Sequence, residues 1–500
     1  MEELDDEEEK NKPDASTHGA SNQYLDSNLV MFDEHGRLLD IDNEQFINFD
    51  SNAVQQGDEE QEQNNEEEEE FAGEIQDDSI NQFVEHKEPI ICLAFNPKRP
   101  HEVVSGGQDE HCYVWDIVQY DSTANIDMVA ADKEDANKPA QKQKNRQISN
   151  KQEEAKHDGD TAASSGFSKL SDHSDTVIDC SWNSSGKFLA TASMDSSIKI
   201  YNCNRNMRLT SSLEIGNEIS FIEWHPNKSN DKKYRNILMA GSLDKNVWIY
   251  DYDKQSKAFS ETQILSGHSA EIECGGFTKY NNGQYAYSAD KDGVIMIWEN
   301  IIDCDAYSGR KKCSFKPLVE SKKEKHGDQI GLYHESGVTC IDDCRGAPLL
   351  ISGSSDHSVC LLNYESGKIL HKLGLHGDSV ECVKFNKLYD AQIKYTHYAS
   401  SSALDGVIKI WDLHTDKIRN ELVHEDGVIV HEWFNTPQNA NLLISATMNG
   451  VIHVWDSRTA KSVKQMRGHS NTIQTLAVSS DDQYIVSGAD DSIVMVWSVQ

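Results

Sequence analysis

The sequence predicts an all-β chain folded as an eight-bladed β-propeller, and three observations carry the prediction. A phrase built from a small residue, an acidic turn residue and alternating apolar residues recurs eight times. Most copies lie 42 to 49 residues apart, the length of one four-stranded sheet with its turns. The last copy, SGADDSIVMVWSVQ, runs only three residues past its tryptophan, Trp497, which leaves that sheet one strand short.

The copies read SGGQDEHCYVWD (105–116), TASMDSSIKIYN (191–202), AGSLDKNVWIYD (240–251) and SADKDGVIMIWE (288–299). They continue with SGSSDHSVCLLN (352–363), SSALDGVIKIWD (401–412), SATMNGVIHVWD (445–456) and residues 487–498. In each, an Asp (once Asn) stands six residues before a Trp, Tyr or Leu. Period-2 alternation on both sides of that Asp gives two strands joined by a tight turn. The carboxylate suits the turn because it can accept hydrogen bonds from nearby backbone donors. The aromatic-type positions are separated by 86, 49, 48, 64, 49, 44 and 42 residues. That period, with a recurring Trp-Asp, is the pattern of WD repeats, whose blades run strands a, b, c and d outward from the axis.

A His lies 28 to 35 residues before most of the aromatic positions, and a Ser or Thr lies four before most of the turn Asps. The resulting sets are His86, Ser105, Asp109 and Trp115; His268, Ser288, Asp292 and Trp298; His376, Ser401, Asp405 and Trp411; and His469, Ser487, Asp491 and Trp497. Ser, His and Asp together suggest a nucleophilic triad. However, a catalytic site is built once, whereas this set recurs blade after blade with a Trp at fixed spacing. It reads instead as a structural tetrad that satisfies buried polar groups and ties the strands of a blade together. Blade 3 has Ala240 and no matching His, and blade 5 has Leu362 for the aromatic, so these two should be the looser blades.

A ring ending on strand c would keep an unpaired edge. Residues 79–85, within DDSINQFVEH, alternate Ile80, Gln82 and Val84 just ahead of blade 1, and are expected to supply strand d of blade 8 and close the ring. Two inserts, near 118–164 and 301–328, account for the long spacings. GFSKL (166–170) and QIGLY (329–333) follow them as outer strands, which would place both inserts in c–d loops and leave the opposite face, built from d–a and b–c loops, uncovered. SFKPLV (314–319) is the alternative outer strand for the second.

Composition bounds the rest. Residues 1–76 hold 25 Asp and Glu against three Lys and Arg, so −22 of the net −37 sits there. With few aliphatic residues this segment cannot offset the entropy of ordering, and it reads as a disordered acidic tail ahead of a propeller at 77–500. No apolar run of spanning length and no secretory signal pattern occurs, so no membrane partner is expected. Eleven Cys without a CxxC pair read as reduced packing residues of a cytoplasmic or nuclear protein. No metal, cofactor or phosphate-loop motif is present, and the reading is of a non-enzymatic, monomeric binding protein.

In a propeller of this kind the residues flanking the first apolar residue of strand a, with the residue before the turn Asp, line the mouth of the central channel. Those positions hold Glu218, Glu271, Glu273, Glu381 and Asp490 against one lysine, Lys291, among Ile, Met and Leu. Such a rim favours a Lys/Arg-bearing peptide with apolar anchors and repels nucleic acid.

Several phrases resemble the angio-associated migratory cell protein family of WD-repeat proteins, which includes the yeast ribosome-assembly chaperone of large-subunit ribosomal protein L-ten. They are EHKEPIICLAF with SGGQDEHCYVW, FIEWHPN with LMAGSLDKNVWIY, and KIWDLHTDKI with GVIHVWDSRTAKSVKQMRGHSNTI, in order through 77–500. The two inserts and the sequence of the tail depart from it. The resemblance implies a chaperone that holds the basic N-terminal segment of that ribosomal protein on its top face, for assembly of the 60S subunit. The rival reading is a general scaffold in signalling or cell migration.

Overall fold

The computed structural model describes residues 31–32, 38–39, 77–120, 166–226, 236–299, 310–315, 334–387 and 398–499. Two compact units are distinguished, 1–72 and 73–500. In the first, Met31–Phe32 pairs antiparallel with Leu38–Leu39. The rest of the expected acidic tail lies outside the described residues, as do most of both inserts.

The second unit is an eight-bladed propeller, each blade a four-stranded antiparallel sheet. Alternation explains why the blades stack. Strand b is buried on both faces, as in Phe188–Ser193 of blade 2, so it reads as a continuous apolar and small-residue run. Strand d is solvated, as in Lys461–Met466 of blade 7, and reads as mostly polar. Facing blades share cores, such as that of Phe188, Ile200, Trp224, Leu238 and Phe259 between blades 2 and 3. Among the described residues no helix is long and apolar enough to cross a membrane.

Ring closure follows the sequence reading. Asn81–Phe83 pairs antiparallel with Val494–Ser498, with Asn81 opposite Val496 and Phe83 opposite Val494, and becomes strand d of blade 8. The paired stretch is shorter than 79–85, because Ser79 and Gln82 bond the Asp77 carboxylate and hold the chain in a turn just upstream. Asp78 N–H donates to the Arg467 carbonyl at 2.8 Å and its carboxylate accepts from Arg467 N–H at 3.0 Å, so the entering segment is also fastened to the end of blade 7.

The outer strand of blade 4 corrects one expectation. Arg310–Phe315 pairs with Ile295–Glu299, so neither QIGLY nor the whole of SFKPLV serves. A strand ten residues along the chain closes a shorter loop than one thirty residues along, and it costs less entropy to bring home. The segment that follows, 316–333, which includes QIGLY, lies outside the described residues.

Candidate functional site

The repeated polar sets come first, because they fix the loops that carry the rim. In blade 6, His376 Nε2 lies 2.7 Å from Ser401 Oγ and its Nδ1 3.2 Å from Asp405, while Trp411 Nε1–H donates to the same Ser401 Oγ at 2.8 Å. Blade 8 repeats this with His469, Ser487, Asp491 and Trp497. These histidines link the d–a loop to the b–c turn, and burial pushes His376 down to about 4, so its ring stays neutral.

Two sets depart from the spacing rule. In blade 4, His268 meets Ser288 at 2.6 Å, but its carboxylate partner is Asp290 at 2.7 Å, not Asp292. Asp290 is fully buried at the end of strand b, where the other blades carry Gly, Ala, Ser or Thr; its carboxylate reaches the ring first and leaves Asp292 exposed in the turn. In blade 1, His86, Ser105 and Asp109 are joined as expected, but the buried Trp115 Nε1 has no hydrogen-bond partner. Phe83 of the closing strand stacks on that indole, with ring centroids 4.8 Å apart. Blade 3 without its His uses a shortcut, Trp248 Nε1–H donating to Asp244 at 3.0 Å. In blade 5, His334 still bonds Ser352 and Ser358.

Held this way, the rim repeats eight times. The first long-range backbone contact of each blade joins the residue before strand a to the residue before the turn: Gln108 N–H to Pro89 O, Met194 to Thr176, Leu243 to Glu218, Lys291 to Glu271, Ser355 to Gly337, Leu404 to Ser379, Met448 to Gly427 and Asp490 to Thr472, all between 2.9 and 3.1 Å. Between them, strand a of every blade shifts register at its second residue, which has no opposite partner in strand b. Those bulged residues are Ile91, Ile178, Ser220, Glu273, Thr339, Glu381, Ile429 and Gln474. A bulge re-aims a side chain and ends regular pairing, which frees these positions for contact.

The five predicted carboxylates fall on this rim, with unequal availability. Lys291 Nζ lies 2.6 Å from Glu271 and 3.1 Å from Glu273, and its ammonium holds the Glu271 carboxyl below its ordinary range. Gln474 Nε2 donates to both Asp490 oxygens, at 3.1 and 3.0 Å. Glu218 and Glu381 make no ion pair among the described residues. Met194 and Met448 stand 44% and 40% exposed beside them as apolar anchors. Sequence reasoning missed a second acidic set one residue upstream, in the d–a loops: Glu88, Asp175, Asp378 and Asp426, all exposed. Their signal was the recurring His-x-Asp/Glu of HKE, HSD, HGD and HED.

The WD domain, G-beta repeat model matches residues 78–116, 165–202, 329–363 and 460–498. Human angio-associated migratory cell protein is 22% identical over 85% of this chain and 81% of its own length. The Pongo abelii protein of the same name is similar to the same extent, 22% identical over 85% of this chain and 81% of its own length. Among solved structures, the propeller is similar to Chaetomium thermophilum Sqt1 bound to the N-terminus of ribosomal protein L10 (TM-score 0.65, 18% identity, 85% of this chain and 100% of that one). Saccharomyces cerevisiae Sqt1 is similar at TM-score 0.62 and 17% identity, over 85% of this chain and 99% of its own. A WD-repeat propeller with such a rim is a protein-binding platform.

Proposed function

We propose that the protein is a dedicated chaperone that holds the basic N-terminal segment of a newly made large-subunit ribosomal protein, of the L10 type, across the d–a/b–c face and releases it to 60S assembly in the cytoplasm. The observation that carries this reading is the eightfold rim: bulged side chains and turn residues present Glu218, Glu273, Glu381 and Asp490 with exposed methionines between them. Carboxylates on a preformed concave surface attract a Lys/Arg-rich strand, and the methionines adapt to its apolar residues. Sqt1, the similar propeller, is bound to the N-terminus of ribosomal protein L10.

The test is titration of a synthetic N-terminal L10 segment at rising ionic strength, by fluorescence anisotropy. Affinity should fall steeply with salt, because exposed charges are screened within about 10 Å at 0.1 M. Glu218→Lys with Glu381→Lys should weaken binding by at least about tenfold. Lys291→Ala, which releases Glu271 and Glu273, should tighten it several-fold. Affinity indifferent to both changes would sink the reading and favour a general scaffold.

A further inference from the structure

The opposite end of the propeller, built from a–b and c–d loops, carries a different chemistry. Between blades 2 and 3 lies a cavity of about 340 Å³ whose lining includes four cations, Lys187, Arg205, Arg208 and Lys257. Lys187 comes from the a–b loop of blade 2, Arg205 from its c–d connection, Arg208 from the first residue of its strand d, and Lys257 from the c–d turn of blade 3. None of the four makes an ion pair among the described residues, on a chain whose net charge is −37.

The backbone sets the arrangement. Asn202 caps a single 3-10 turn, Cys203–Arg205, and Asn206 and Met207 follow in the left-handed region at φ 54° and 52°. That reversal puts Arg205 and Arg208 on either side of one tight corner. Lys257 is also left-handed, at φ 57°. Met and Lys rarely adopt this conformation, so the surrounding structure holds it. Lys187 is fixed over the Phe188 ring, 4.8 Å from its centroid.

We propose that this cavity is a binding site for a phosphomonoester carried on a peptide. A phosphoserine brings about two negative charges and three acceptor oxygens to one point. Arginine forks and ammonium groups converging from three loops match that compact charge, and Asn204 and Thr210 add neutral partners. The volume is at the lower end for ligand pockets, suited to one modified side chain and its neighbours. A nucleic acid fits less well. The cavity lining holds a single aromatic, Tyr252, in tilted contact with Phe188 and Phe259 at 5.3 and 5.1 Å, and no second ring to sandwich a base. A long polyanion would also meet the net negative charge of the whole chain.

The test uses the full chain and three fluorescent probes: a short acidic peptide with one phosphoserine, its unphosphorylated form, and a decauridylate. The phosphopeptide should bind, and its unphosphorylated form should bind at least about tenfold more weakly. Arg205→Ala with Arg208→Ala, both exposed side chains, should remove the preference, with the melting temperature and binding of the basic rim peptide unchanged. Failure of the phosphopeptide to bind, or equal binding to the double variant, overturns the proposal. So does tighter binding of decauridylate that is lost in the same variant, which would assign the pocket to nucleic acid. Because the rim lies at the other end of the blades, either site can fail without the other.

Discussion

Trp411 and Trp115 occupy the same repeat position, yet their indole N–H groups meet different surroundings. Trp411 donates to Ser401 at 2.8 Å; Trp115 is buried with no acceptor and is stabilised by stacking on Phe83. Replacing each with Phe keeps most of the buried ring and removes the N–H. Trp411→Phe should therefore cost about 1 to 3 kcal/mol, since it leaves the Ser401 and His376 network short of a donor. Trp115→Phe should cost less than about 1 kcal/mol, because the deleted group is already unpaired. Chemical denaturation of the two variants separates them, and equal losses would mean that the hydrogen bond contributes nothing. Sequence spacing made the His and Ser of each set legible because they sit at fixed strand positions. It misassigned Asp292 because two carboxylates lie within three residues of each other there, and which one reaches His268 depends on depth, which spacing does not encode.

A closing strand of three residues is short to complete a ring, so most of its contribution must come from side-chain burial. Phe83 is fully buried and touches Tyr113, Trp115, Tyr120 and Phe167 with centroids 4.8 to 5.6 Å away. Phe83→Ala should cost about 3 to 5 kcal/mol and Ile80→Ala, at a side chain 54% exposed, less than about 0.5 kcal/mol. Deleting 77–85 should lower the melting temperature by more than either. Thermal melts read all three, and a deletion that melts like the parent would remove closure as a source of stability. That a strand had to come from here was readable from the unmatched edge of blade 8, but the alternation of Ile80 and Val84 marked the wrong face, since both are exposed and Phe83 between them is buried. The outer strand of blade 4 was not, because RKKCSF carries three cations and one aromatic, and its register is chosen by loop length and the backbone ladder rather than by its own pattern.

At the scale of the ring, neighbouring blades are joined by carboxylates on strand a that accept backbone N–H groups from the next blade. Asp179 accepts from Ile222 at 2.8 Å, Glu223 from Phe277 at 3.1 Å and Asp342 from Phe385 at 2.7 Å. These acids are legible in the sequence only as polar residues on an otherwise apolar strand; that they face another blade is a property of the closed ring. Burial raises Asp179 to about 6, Glu223 to about 7 and Asp343 to about 8, although Lys279 lies close to the last two and opposes the rise. Asp343 Oδ1 is buried with no partner, as suits a protonated acid. Burial also lowers His225, His376 and His424 to about 4 and His431 to about 3. The two groups act in opposite directions. The acids bind protons more tightly folded than unfolded, so their contribution is complete below about pH 4 and lost as pH rises through 6 to 8. The histidines bind protons less tightly when folded, so theirs is complete above about pH 6.5 and lost as pH falls toward 4. Between pH 4.5 and 6 the two trends largely offset, so stability should rise only gently to a maximum near pH 6.5, then decline as Glu223 and Asp343 ionise and level off near pH 8. Glu223→Gln keeps an acceptor for Phe277 N–H and cannot ionise, so it should steepen the rise between pH 4.5 and 6.5 and leave the decline above pH 7, which belongs to Asp343, in place. Melting temperatures from pH 4.5 to 8.5 for both proteins decide the matter. A variant profile parallel to the parent's from pH 4.5 to 7 would show that Glu223 takes up no proton on folding and that burial in the ring does not raise it.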